Sequence, residues 1–123
     1  MNFSFITLYT NNIDIAHSFY TEIVGLKETR RFSPGNNIRI IFLSDGNHFN
    51  LELIENGENW GGLSDKWPFT MAFHTDSIEK TENFLKSKNI SFEPPVHIPG
   101  GPSMIFIKDP DGVRIMMTTA QAH

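Results

Sequence analysis

One order of elements occurs twice in this chain at a nearly constant distance, and that repeat restricts the fold more than any other feature. Phe84 minus Phe19 is 65, and Gly112 minus Gly46 is 66. Self-similarity at a fixed period marks a supersecondary unit that recurs, with neighbouring copies completing a core that neither builds alone. Each copy reads as strand, helix and three strands, so the fold class is α+β with two βαβββ modules.

The first copy opens with a strand over Phe3–Thr10, where Phe3, Phe5, Thr7 and Tyr9 share one face by the period of two. Asn12 is a good N-cap, and Ile13, Ala16, Phe19, Tyr20 and Ile23 follow at helical spacing. Gly25 ends that helix, and Leu26–Phe32 is the second strand. After a Ser33–Asn37 loop, Ile38–Ser44 and His48–Glu55 form a hairpin around Asp45-Gly46. Residues 57–68 are a Gly-rich linker, with Trp60 as the candidate lid and Trp67 as packing.

The second copy runs from a strand at Phe69–Thr75 into a helix from Ile78 to Lys88, opened by a capping box of Asp76 and Glu79. A strand is expected to start at Ile90–Phe92. Prolines then fence a loop, and two apolar arms flank the turn Asp109-Pro110-Asp111-Gly112. The reading is a single domain over 1–123, with module 1 about 1–56 and module 2 about 69–119.

Composition removes several classes of function. Net charge is −4 and charges are interspersed, so the basic stripe of a nucleic-acid binder is missing. The same balance argues against an anionic membrane surface, and no apolar run approaches the ~18 residues of a membrane span. The absence of Cys excludes disulfides and thiolate chemistry. No nucleophile elbow or phosphate-binding Gly loop is present. A cytoplasmic protein is the expectation. Eleven Phe and two Trp suffice both for a core and for an apolar pocket.

The doubled βαβββ order, the segment Phe19-Tyr20-Thr21-Glu22-Ile23-Val24-Gly25-Leu26 and the segment Phe106-Ile107-Lys108-Asp109-Pro110-Asp111-Gly112 together resemble the vicinal oxygen chelate superfamily. This superfamily holds glyoxalase I, extradiol dioxygenases, and fosfomycin- and bleomycin-resistance proteins. The resemblance implies a curved mixed sheet enclosing a cup, with the helices outside. It also implies a homodimer.

Metal enzymes of that superfamily carry four ligands on inward-facing strand positions. By the resemblance these positions fall on Phe5, Glu52, Thr70 and Met116. Only Glu52 is a donor for a hard or borderline cation. The expectation is therefore no catalytic metal and no cofactor. A site rebuilt from His48, Glu52 and His74 is the competing possibility.

The function expected is binding of a small, partly apolar or cationic molecule in the cup. Phe5, Thr7, Glu52, Trp60, Thr70, His74, Arg114 and Met116 are its candidate lining. Glu52 is the candidate catalytic residue, as general base or as partner for a cationic group. Arg114 is placed by parity on the pocket side, either toward ligand or paired with Glu52. The alternative function is a metal-dependent isomerase or lyase of the lactoylglutathione-lyase type.

Overall fold

The computed structural model describes residues 1–60 and 68–121. The chain divides into two compact units, Met1–Leu63 and Ser64–His123. Trp67 lies outside the described residues.

In the first unit, strand β1 (Ile6–Tyr9) leads into helix α1 (Ile13–Ser18). Asn12 caps the helix, its side-chain oxygen accepting the Ile15 N–H at 3.1 Å. The helix continues through a wider π-type turn over Phe19–Ile23, where the Val24 N–H reaches back five residues to the Phe19 carbonyl. Gly25 then turns left-handed at φ +91°, a conformation that carries no Cβ penalty only for glycine. Three strands follow: β2 (Lys27–Gly35), β3 (Ile38–Ser44) and β4 (Asn50–Glu55).

The sheet order is β1-β4-β3-β2, with β1 parallel to β4 and the other pairs antiparallel. Alternation along the strands gives it two unlike faces. Leu8, Ile41, Leu43, Leu51 and Leu53 are buried on one face. Helix α1 lies against β3 and β4 and adds the buried Ile13 and Ala16, and the π-type turn adds the buried Tyr20. Each such aliphatic side chain contributes roughly 1.5–3 kcal/mol when fully buried, so this face holds the unit together. The other face carries Thr7, Glu52 and Phe42, and stays more open to solvent.

The second unit repeats the plan with β5 (Met71–His74), α2 (Ile78–Ser87), β6 (Val96–His97), β7 (Ser103–Lys108) and β8 (Arg114–Thr118). Its order is β5-β8-β7-β6, with β5 parallel to β8. Met71, Ile105, Ile107, Ile115 and Met117 are buried together with Ile78 and Leu85 of α2. Two four-stranded mixed sheets, each with its own helix, confirm the two βαβββ modules. Helix starts Ile13 and Ile78 differ by 65, as do the strand starts Ile6 and Met71.

Register corrects the repeat at the hairpins. Phe42 pairs with Glu52, and Phe106 with Met116, an offset of 64 on both strands (106 minus 42, 116 minus 52). Gly46 is therefore equivalent to Pro110, not to Gly112. The cause is the loop itself. Asp45 does not start a two-residue turn: its Oδ1 accepts the N–H groups of Asn47 and Phe49, and its own N–H meets the Phe49 carbonyl. Asp109 does the same with Asp111 and Val113. Both loops span five residues, and His48 falls in the loop rather than on β4.

Three further expectations change. β2 runs on through Ser33-Pro34, its pairing shifted between Phe32 and Gly35, and turns at Asn36-Asn37. Both Asn have positive φ, the requirement of a tight primed turn. Ser77, not Asp76, caps α2, its Oγ accepting the Lys80 N–H at 3.1 Å. No strand forms at Ile90–Phe92. The Ile90 N–H closes the helix end on the Leu85 carbonyl, and Pro94 and Pro95 have no N–H for a ladder, so pairing waits for Val96.

Asp109 is 6% exposed while Asp45 is exposed. Asp109→Ala leaves buried N–H groups without an acceptor and is expected to cost about 1–3 kcal/mol. Asp45→Ala is expected to cost less, because water replaces the lost oxygen. Urea midpoints of the two variants check the order; equal losses contradict it.

Candidate functional site

The parallel pairing of β1 with β4 places Thr7 beside Glu52, and β3 places Phe42 on the other flank of Glu52. Arg30 of β2 completes the row. The Thr7 hydroxyl donates to Glu52 Oε1 at 2.6 Å, a short charge-assisted bond. Phe5 meets Phe42 edge-on with centroids 5.3 Å apart. Phe5, Phe42, Arg30 and Asn50 line a cavity of about 240 Å³ on this face, together with Ser4 and Thr29.

Trp60 is held in the same unit. Its ring stacks on Tyr9 at 4.7 Å, its backbone N–H donates to Asn11 Oδ1 at 2.6 Å, and its Nε1 donates to Asn56 Oδ1 at 3.3 Å. Tyr9 shares the parity of Phe5 and Thr7, so the stack extends the aromatic character of the open face.

In the second module Met116 stands at the position equivalent to Glu52, between Ala72 and Phe106. The Arg114 guanidinium lies over the Phe106 ring, 4.3 Å from its centroid. Thr70 precedes β5 and is exposed. His74, at the end of β5, uses both ring nitrogens: Nε2 bonds Asp76 Oδ1 at 2.9 Å and Nδ1 bonds the Ala120 carbonyl at 3.2 Å. The hydrogen bond to Asp76 raises its pKa, helped by the Ala120 carbonyl.

The donor set does not fit a divalent metal. Phe5 offers carbon, Thr70 a neutral hydroxyl and Met116 a thioether, while Glu52 already accepts from Thr7. His74 has both ring nitrogens engaged, Nε2 with Asp76 and Nδ1 with the Ala120 carbonyl. Among the described residues no group of three or more His, Asp or Glu side chains is placed to hold a metal ion.

The structure thus brings Phe5, Thr7, Glu52 and Trp60 to one module, and Thr70, His74, Arg114 and Met116 to the other. Sequence reasoning missed Phe42 and Arg30. Phe42 depended on register across the five-residue Asp45 loop, and Arg30 on register across the Asn36-Asn37 turn. No helix of the described residues is long and apolar enough to cross a membrane.

Paired βαβββ units, each closed by its first and last strands, define the vicinal oxygen chelate scaffold. The chain belongs to the Glyoxalase/Bleomycin resistance protein/Dioxygenase superfamily, whose family model matches residues 2–117. No curated protein matches it by sequence. Among solved structures it is similar to a glyoxylase/bleomycin resistance protein/dioxygenase domain from Frankia sp. EAN1pec, with TM-score 0.79 and 20% identity over 98% of both chains. It is also similar to the fosfomycin resistance protein FosX of Listeria monocytogenes in an E126Q form complexed with Mn(II). There the TM-score is 0.76 and identity 17%, covering 98% of this chain and 94% of that one. Trypanothione-dependent glyoxalase I of Leishmania major gives TM-score 0.73 and 22% identity, covering 90% of this chain and 81% of that one. Identities this low carry the fold.

His74 is expected to titrate above the ordinary histidine value, and Asp76→Asn to lower it. Because the folded value is raised, any stability from this contact is present below about pH 6.5 and is lost as pH rises through the folded pKa. An NMR titration of the ring protons reads both. A midpoint unchanged by Asp76→Asn contradicts the assignment.

Proposed function

We propose that this protein binds a small, partly apolar or cationic molecule on the open faces of its sheets, without a catalytic metal. It sequesters that molecule rather than turning it over. The first module supplies Phe5, Thr7, Glu52 and Trp60. Thr70, His74, Arg114 and Met116 are the second module's proposed contributions. The observation that carries the reading is the Thr7–Glu52 bond of 2.6 Å beside aromatic rings. It holds a lone carboxylate in place to meet a cationic group, while the rings supply apolar and cation–π contact. Glu52 is also the group that would act as a base if a reaction occurs. A homodimer in the cytoplasm completes the proposal.

The second reading is a metal-dependent isomerase or lyase, in which Glu52 is a ligand. It draws support from the Mn(II) complex of the FosX relative. Thermal unfolding of EDTA-treated protein with benzyltrimethylammonium separates the two. At ten times Kd the cation is expected to stabilise by about 1.4 kcal/mol, roughly 5 °C for a chain of this size. Glu52→Gln is expected to abolish the shift, and benzyl alcohol to give less. Stabilisation by Mn²⁺ or Ni²⁺ but by neither organic probe supports the metal enzyme instead.

A further inference from the structure

Strand β4 ends at Glu55, and the chain leaves the sheet through Asn56-Gly57, the one Asn-Gly step in the sequence. The fold does not ask for that pair. The hairpin offset of 64 puts Ala120-Gln121 at the equivalent place after β8, so the second module leaves its last strand without it. A glycine after asparagine leaves the backbone nitrogen open to the side-chain amide, because there is no Cβ to shield it. The space around Gly57 is open as well: no atom of a non-neighbouring residue lies within 4 Å of where a Cβ would stand. No backbone bond ties down the Gly57 N–H among the described residues.

The Asn56 side chain is set for attack by that nitrogen. Its Oδ1 accepts the Glu58 N–H at 3.1 Å, which folds the side chain back on its own main chain. The same Oδ1 accepts the Trp60 Nε1–H at 3.3 Å. Attack on the amide carbon puts negative charge on this oxygen, and two N–H donors already point at it. Asn56 is half-buried, while Gly57, Glu58 and Asn59 are exposed, so water and hydroxide reach the loop.

We propose that Asn56 is a self-modification site, at which the Gly57 nitrogen displaces the side-chain amide and the loop holding Trp60 converts with time to aspartyl and isoaspartyl forms. Gly57 N gives its proton to hydroxide and bonds to Asn56 Cγ. The Cγ–Nδ2 bond breaks, and the nitrogen takes a proton from water and leaves as ammonia. The cyclic imide then takes up one water. Opening at Cγ gives aspartate; opening at the backbone carbonyl gives isoaspartate, whose main chain runs through Cβ. The two products act differently on Trp60. Aspartate keeps an oxygen for both N–H groups. Isoaspartate moves the carboxylate onto Cα, out of register with both donors, and lengthens the segment between β4 and Trp60 by one carbon. Trp60 then loses one of the two hydrogen bonds that hold it in its stack on Tyr9. The change is independent of what the open face binds.

Incubation of the native chain in mildly alkaline buffer tests the site, read by peptide mapping in a mass spectrometer, ammonia release and enzymatic methylation of isoaspartate. Conversion at residue 56 is expected ahead of every other Asn. Asn56→Gln, whose longer side chain closes the ring poorly, is expected to lose it. In the isolated isoaspartyl form the Trp60 indole N–H is expected to exchange with solvent faster than in the native chain. In Asn56→Asp, which keeps the acceptor, it is expected to stay protected. An amide that persists at residue 56 after a free peptide of residues 54–60 has converted, or conversion at another Asn first, overturns the site. Unchanged indole exchange in the isoaspartyl form overturns its hold on Trp60.

Discussion

Each module depends on one long-range pairing: its first strand lies parallel to its last. A parallel pair cannot be joined by a tight turn, so the helix and two intervening strands serve as the crossover. The pairing places residues 45 positions apart side by side, as the Thr7–Glu52 bond records. It also fixes which face meets the helix. Once Leu8 lies beside Leu53 on the buried face, Thr7 and Glu52 have no choice but the open one. The core and the candidate site are two sides of one register.

The duplication shows how far the chemistry of that open face can drift while the core stays put. Thr10 and Thr75 occupy equivalent places, each donating its backbone N–H to a carbonyl near the end of its module's last strand, at 2.9 and 2.8 Å. Phe42 and Phe106 are the same residue at the same register. Beside them the copies diverge: Glu52 against Met116, Thr7 against Ala72, Asn50 against Arg114. Buried positions answer to packing, where a lost methylene is felt at once. Open positions answer to whatever they meet. One module thus presents a carboxylate held by a hydroxyl, and the other a thioether and two cations.

Much of this was legible in the amino-acid order. The helix stripes, the Asn12 cap, the Gly25 stop and the doubled βαβββ plan follow from local periodicity and capping chemistry. The register of the hairpins was not, because Asp-Gly suggests a two-residue turn while the Asp45 side chain holds a five-residue loop. That error hid Phe42 as the neighbour of Glu52 and left His48 on a strand it does not join. Ile90–Phe92 has strand-like side chains, but the hydrogen-bond account of its backbone excludes a ladder. Gly-rich surroundings mark Trp60 as a lid candidate, but they do not reveal its stack on Tyr9, which depends on Asn11 and Asn56.

The central claim is that Phe5, Thr70 and Met116 offer carbon, a neutral hydroxyl and a thioether, and that Glu52 is a carboxylate already engaged by Thr7. Metal content per chain after dialysis against Ni²⁺ and removal of the excess tests it most directly. The native chain should retain none. Native protein that keeps one equivalent per chain, and releases it on Glu52→Ala, would contradict the account.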